Sequence, residues 1–167
     1  QPENTRRTAH DARQFLRRAE LCFAPSQVWA VLGRNGAGKS LLLRTLAGLR
    51  TPEHGTIFID GRPLSRWRTR ALAQHVGMLL QDEPVDYWGT VREYVALGRV
   101  PHHRWMQSTS GDDRRSISDA LTVLQLEVIA DQPYRTLSGG ERQRARLAQL
   151  RAQDPPIMLL DEPLTGV

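Results

Sequence analysis

Gly33-Arg34-Asn35-Gly36-Ala37-Gly38-Lys39-Ser40 stands in the first quarter of this 167-residue chain, between an apolar run and a leucine-rich stretch. The apolar run, Val28 to Leu32, predicts a buried parallel strand, and Ser40 to Leu49 predicts a helix. Glycines let successive backbone N–H groups turn towards one anion, and the start of a helix adds partial positive charge. The order of strand, glycine-rich loop, Lys-Ser pair and helix therefore predicts a phosphate-binding loop.

Lys39 and Ser40 indicate what this loop would hold. In loops of this kind the lysine reaches the β- and γ-phosphates of a nucleotide, and the serine hydroxyl coordinates Mg²⁺. Lys39 is the only lysine among 23 basic residues, which suits a site that requires a compact ammonium on a flexible stem. A glycine turn that binds nothing would explain the glycines but not the Lys-Ser pair.

An acidic pair, Asp161-Glu162, follows the apolar run Ile157 to Leu160, which predicts a second buried strand. At the end of such a strand, Asp161 would hold Mg²⁺ directly or through water. Glu162 would orient the attacking water or take its proton. Alone, an acidic pair in this position is most often a strand leaving the core. Together with the phosphate loop, it predicts a site for nucleotide hydrolysis.

Ser138-Gly139-Gly140-Glu141 matches a capping box at the start of a helix. The capping box does not explain the two glycines, because each costs a helix about 1 kcal/mol relative to alanine. Backbone without side chains can instead come close to a phosphate. Because one phosphate loop already encloses its own nucleotide, the second helix start would have to come from the opposite side. A two-fold dimer, in which each copy covers the nucleotide of the other, meets this condition.

With these three segments, the chain resembles the nucleotide-binding subunits of ABC transporters, in which they are the Walker A, signature and Walker B motifs. The resemblance implies an α/β P-loop NTPase fold, with a RecA-like parallel sheet and flanking helices, an N-terminal antiparallel β subdomain and an inserted helical lobe. It also implies ATP and Mg²⁺ as cofactors. Lys39, Gln81 and Glu162 would serve catalysis, and Ser40, Gln81 and Asp161 would hold the metal.

Two further positions gain a role from the resemblance, and two departures weaken it. Gln81 stands where the family has the glutamine that senses Mg²⁺ and the γ-phosphate, and His10 stands where an aromatic residue stacks on adenine. Leu41 replaces the usual threonine next to the α-phosphate, so we expect slightly weaker nucleotide binding. The family's later aspartate and histidine do not follow Val167. We therefore expect an N-terminal fragment, truncated at its C-terminus, with negligible steady-state hydrolysis.

The remainder of the chain alternates predicted strands and helices, as is typical of a parallel sheet with helices on its faces. We predict strands at residues 14–23, 56–60 and 76–80, and helices at 64–75, 90–97, 115–128 and 138–153. The corresponding domains are a nucleotide-binding core over 1–81, a helical subdomain over 82–137 and a return to the core over 138–167.

The stretch from Leu97-Gly98-Arg99 through Pro101-His102-His103 to Arg104-Trp105 resembles the importer branch that serves iron-siderophore, haem or cobalamin uptake. This resemblance implies a homodimer, membrane permease subunits and, indirectly, a periplasmic solute-binding protein as partners. It places the protein peripherally on the cytoplasmic side of the inner membrane. We expect His102 and His103 to lie in a solvated loop rather than in a metal site.

Amino-acid composition and motif spacing bear on which classes of function the chain could have. The net charge of +5 comes from arginines scattered between Arg6 and Arg151, which does not indicate nucleic-acid binding. One cysteine, Cys22, excludes an internal disulfide and fits a reducing compartment. A DNA-repair or chromosome ATPase would need a long coiled coil between Lys39 and Ser138, but these 99 positions hold a compact lobe and no heptad run. The importer-like segment at Val100 to Trp105 argues against a ribosome-associated ATPase, which length alone does not exclude. A nucleotide-binding fragment without turnover also stays open.

Overall fold

The computed structural model describes residues 20–80, 86–103 and 110–162, and the chain divides into two compact units, residues 1–42 and 43–167. In the first unit, the described residues form a turn around Ser26 and then an irregular segment that leads to helix α1 (Lys39–Leu46), which continues into the second unit. Of the edge strand predicted for residues 14–23, the part before Glu20 lies outside the described residues. The part from Glu20 onward is not a strand.

The predicted buried strand at Val28 to Leu32 is wrong for this structure. None of these residues has strand geometry, and Val28 is fully exposed. A strand exists only where a neighbouring strand supplies its hydrogen bonds, and none of the described strands pairs with this segment.

The second unit contains two small sheets. Strands β1 (Phe58–Ile59) and β2 (Arg62–Pro63) form an antiparallel hairpin, and β3 (Val76–Leu79) pairs in parallel with β4 (Ile157–Leu160). Between them, a 3₁₀ turn at Leu64–Arg66 and the short helix α2 (Thr69–Ala73) replace the single predicted helix. The strand at 157–160 is confirmed. Its predicted burial is wrong, because β4 pairs only with β3 among the described strands and leaves Ile157, Met158 and Leu160 more than a third exposed.

Three helices build a helical lobe in the second unit. They are α3 (Val91–Ala96), α4 (Gly111–Val123) and α5 (Gly139–Gln153). A 3₁₀ segment, Leu97–His102, follows α3, and two short 3₁₀ turns, Glu127–Ile129 and Tyr134–Thr136, precede α5. Each of the three helices begins with a hydroxyl residue in a capping box.

The core of the helical lobe lies between α3, α4 and the inner face of α5. Val91, Val95 and Leu121 are nearly or completely inaccessible, and α5 contributes three fully buried alanines, Ala145, Ala148 and Ala152. Small residues let a helix approach its neighbours closely. They therefore hold α5 tightly against the lobe. None of the helices in the described parts of the chain is long and apolar enough to cross a membrane.

Candidate functional site

The phosphate loop has the backbone that its glycines predict. Gly36 and Gly38 adopt positive φ values of 76° and 89°, a region that side-chain-bearing residues rarely occupy. The Lys39 ammonium donates hydrogen bonds to the carbonyl oxygens of Gly33 at 3.0 Å and Arg34 at 3.3 Å. The lysine is thus held against the loop backbone, in reach of an anion bound by the N–H groups of that loop.

At Gly33 the loop folds closely on itself. A Cβ at this position would lie 3.3 Å from the Cβ of Ala37, so a larger residue would push the two sides of the loop apart. Asn35 is exposed, and Ser40 and Leu41 are half-buried in the first turn of α1.

Asp161 comes directly after β4, where the ladder of hydrogen bonds from β3 still holds its backbone. Its N–H donates to the carbonyl oxygen of Leu79 at 3.0 Å. The side chain is buried, and Oδ2 has no hydrogen-bond partner among the described residues. An unpaired carboxylate oxygen without water contact is costly. A hard cation such as Mg²⁺ would satisfy this oxygen, so the residue fits the predicted metal role.

Glu162 adopts a left-handed backbone conformation, with φ of 47°. This conformation costs a residue with a side chain roughly 1–2 kcal/mol. Strain of this kind is concentrated at functional positions, which is compatible with the predicted role of Glu162 in hydrolysis.

The signature segment forms the predicted capping box. The Ser138 hydroxyl accepts from the backbone N–H of Glu141 at 3.3 Å and donates to its carboxylate at 2.6 Å, and the Ser138 N–H donates to the same carboxylate oxygen at 2.8 Å. These hydrogen bonds lower the pKa of Glu141. Ser138 and Gly139 are exposed, so the start of α5 is accessible to a ligand outside this copy.

A buried polar cluster that the sequence did not predict lies around Asp113. Its carboxylate accepts from Arg99 at 2.8 Å, from His103 at 3.1 Å and from the Ser110 hydroxyl at 2.6 Å. Burial by itself would raise the pKa of Asp113, but the hydrogen bonds from Ser110 and Arg99 outweigh it and hold the pKa well below its usual range. The expected solvated loop is wrong, because His103 binds Asp113 and His102 lies 2.8 Å from the carbonyl oxygen of Gln153.

The predicted site residues are thus placed in three described segments. The phosphate loop belongs to the first unit, and the signature and the acidic pair belong to the second. Gln81 and His10 lie outside the described residues, so their roles stay predictions. Within the described part of the chain, no group of three or more His, Cys, Asp or Glu side chains could hold a metal ion by itself.

Comparison with known proteins gives consistent matches. The family model for ABC transporters matches residues 16–165. The chain is 42% identical over 136 residues to the ferric enterobactin transport ATP-binding protein of Escherichia coli, covering 81% of this chain and 50% of that protein. It is 40% identical over 156 residues to the hemin import ATP-binding protein of Nocardia farcinica, covering 93% and 54%. The chain spans about half the length of the curated relatives it matches.

Solved structures agree with these relatives. An inward-facing structure described as a metal-chelate type ABC transporter matches with a TM-score of 0.72 and 30% identity, over 87% of this chain and 53% of that one. A dimeric ATP-binding cassette with ADP and phosphate, in a post-hydrolysis state, matches with a TM-score of 0.66 and 27% identity, over 80% and 60%. The predicted P-loop NTPase fold and the predicted family are confirmed.

Proposed function

The chain belongs to the ABC transporter family, and on this premise we propose that it is the ATP-binding part of a subunit that powers an importer for iron-siderophore, haem or cobalamin. The observation that carries the proposal is the phosphate loop, with Gly36 and Gly38 at positive φ and Lys39 bonded to the loop carbonyls. The names of two relatives, which concern ferric enterobactin and hemin, favour the first two cargo classes.

In this proposal the residues of the first unit bind the nucleotide. The backbone of residues 33–40 surrounds the phosphates, Lys39 neutralises the β- and γ-phosphates, and the Leu41 N–H lies in the first turn of α1. His10 stacks on the adenine. Binding of this kind positions the β–γ bond for cleavage, which is the larger part of phosphoryl-transfer catalysis.

The second unit supplies the acidic groups. Asp161, together with Ser40 and Gln81, would hold Mg²⁺, which would supply positive charge to offset the charge of the nucleotide phosphates. Glu162 accepts a hydrogen bond from the attacking water and orients it towards the γ-phosphorus. The burial of Asp161 Oδ2, which has no hydrogen-bond partner within residues 20–80, 86–103 and 110–162, supports this assignment.

We further propose that two copies act together. Ser138, Gly139 and Gly140 of one copy would cover the nucleotide bound to the phosphate loop of the other, because the start of α5 is exposed and lacks side chains at its first two positions. Closing and opening of this dimer would pass motion to membrane permease subunits and, through them, serve a periplasmic solute-binding protein. The subunit would lie at the cytoplasmic face of the inner membrane.

Lys39→Ala tests the proposal in the full-length protein. Losing a hydrogen bond to a charged group costs about 1.5–3 kcal/mol, which corresponds to a rise of about 10- to 100-fold in the Kd for ATP. Calorimetric titration with MgATP measures this change. Arg44→Ala is the matched control, because it removes an exposed cation from the same helix. If Lys39→Ala binds ATP with the wild-type Kd, the proposed role of the phosphate loop in binding the nucleotide is wrong.

A further inference from the structure

Residues 97–103, which we call the strap, pack their backbone directly on the last turns of α5. Gly98 is buried, and a Cβ at this position would lie 2.2 Å from the carbonyl oxygen of Gln149 and 2.9 Å from the backbone nitrogen of Gln153. Both neighbours are backbone atoms of a helix and cannot move aside as a flexible side chain would. The strap therefore touches α5 at a distance that only glycine permits.

Two side chains of the strap cap the C-terminal end of α5. Arg99 Nη1 donates to the carbonyl oxygen of Ala152 at 2.8 Å, and the His102 ring Nε2 lies 2.8 Å from the carbonyl oxygen of Gln153. The last four carbonyls of a helix have no partner within it. A cation at this end is also favoured by the helix dipole. Asp154, which follows α5 in a left-handed conformation, donates its backbone N–H to the carbonyl oxygen of Arg151. The strap supplies partners for the next two carbonyls, those of Ala152 and Gln153.

The same strap is attached to two other helices. Arg99 Nε pairs with Asp113, which caps the start of α4, and both side chains are nearly inaccessible to solvent. The carbonyl oxygen of Pro101 accepts from Arg70 of α2 at 2.9 Å and from Gln74 at 2.7 Å. The C-terminal end of α5 is therefore held against α2 and α4, whereas the Ser138 end is exposed.

Together with the packing of Ala145 and Ala148 against the lobe, this C-terminal attachment sets the direction of α5. Helix α5 has 15 residues, so it is about 22 Å long, and a tilt of about 5° at one end moves the other by about 2 Å. A misplacement of about 1 Å can cost a reaction about 100-fold in rate. A small change at Arg99 is thus large enough to matter at Ser138.

We propose that Arg99 is a positioning residue for ATP hydrolysis. By joining Asp113 to the Ala152 carbonyl, it fixes the angle at which Ser138 and its two glycines are presented to the nucleotide of the second copy. This inference rests on the proposed function. Arg99 itself touches no nucleotide in this arrangement and acts only through α5.

Two variants of the full-length protein separate positioning from simple charge neutralisation. Arg99→Met leaves the buried Asp113 carboxylate without its cation, so both Tm and kcat should fall. In Arg99→Met/Asp113→Asn no buried charge is left unpaired, so Tm should recover much of the loss caused by Arg99→Met. The Ala152 carbonyl still lacks its donor. We therefore expect kcat to stay about 10-fold low while KM for ATP is unchanged.

Arg99→Lys is the conservative substitution. It tests the proposal even if the double variant Arg99→Met/Asp113→Asn does not fold. Lysine keeps a positive charge for Asp113, but its single ammonium cannot reproduce the two directions of the guanidinium. We expect a folded protein with kcat several-fold below the wild type. Arg92→Met/Asp131→Asn is the matched control, because it removes an exposed Arg–Asp pair of the same lobe, and it should keep the wild-type kcat.

Several results would overturn the proposal. One is recovery of kcat together with Tm in Arg99→Met/Asp113→Asn, and another is a wild-type kcat in folded Arg99→Lys. An equal loss of kcat in the Arg92 control would show that the effect is not specific to the strap. Ser138→Arg tests the premise separately: if it hydrolyses ATP at the wild-type rate, the shared site of the proposed function fails, and the role of Arg99 fails with it.

Discussion

Gly140 is the second residue of α5, and nothing in this copy requires a glycine there. Apart from its chain neighbours and the nearby backbone of α5, no heavy atom of the described residues lies within 4 Å of the position that its Cβ would occupy, and its φ is not positive. Gly140→Ala should therefore stabilise the helix by about 0.5–1 kcal/mol. For a protein of this size, that change raises Tm by about 1–4 °C.

The proposed contact with a phosphate predicts the opposite effect on activity. A methyl group on the surface that faces the second copy's nucleotide would hold the backbone away from the phosphate by about 1 Å or more, so ATP hydrolysis should fall at least about 10-fold. Both effects are measured on the full-length protein: thermal unfolding gives the change in Tm, and steady-state phosphate release gives the change in the rate of ATP hydrolysis. The prediction is a more stable and less active protein.

Gly111→Ala is the matched control. Gly111 also follows a serine N-cap at the start of a helix, and its missing Cβ has no described heavy atom within 4 Å other than chain neighbours and the nearby backbone of α4. Gly111→Ala should raise Tm by a similar amount and leave the rate of ATP hydrolysis unchanged. A Gly140→Ala protein that is stabilised and still hydrolyses ATP at the wild-type rate would refute the reasoning that this glycine admits a phosphate. A fall in Tm would instead contradict the described geometry of α5.

Three further outcomes are expected. Gly98→Ala should destabilise the protein by about 1–3 kcal/mol, because its Cβ would overlap the backbone of α5; an unchanged urea midpoint would contradict this close packing. Asp113 has its pKa lowered below 3.8 on folding, so its stabilisation is present above that pH and is lost as the pH falls towards the folded-state pKa. Asp113→Asn should accordingly flatten the acid side of the stability curve, and urea titrations between pH 6 and pH 2 test this. Glu162→Gln should bind ATP without cleaving it and should elute from a sizing column as a dimer. If this variant stays monomeric while the wild type dimerises with ATP, the assignment of Glu162 to hydrolysis is wrong.

Local chemistry explains which elements the sequence predicted well. The helix at 138–153 is observed as α5, because a capping box and a run of good helix formers from Glu141 to Gln153 act within one segment. The strands at 76–80 and 157–160 are observed as β3 and β4, because each is a short apolar run between turn signals. Helix α4 begins four residues before its predicted start at Arg115, although Ser110 and Asp113 carry the same capping signature as α5.

Burial and long-range pairing account for the errors. Val28 to Leu32 has the composition of a buried strand, but composition cannot supply the neighbouring strand that a buried strand requires. His102 and His103 lie in a segment rich in polar and turn-forming residues, which favours a loop. Their partners, Gln153 and Asp113, are 51 and 10 positions away, and no local pattern predicts such contacts.

The order of the residues alone predicts the chemistry proposed for this protein. A phosphate loop, a capped glycine pair and an acidic pair are each defined by neighbouring residues, because backbone conformation and side-chain type act over a few positions. What holds these segments in place became visible only in the folded chain. Arg99 meets the end of α5 across 53 positions, and Asp161 Oδ2 is buried with no hydrogen-bond partner in the described part of the chain. Such relations depend on packing in three dimensions, and packing couples residues that sequence order separates.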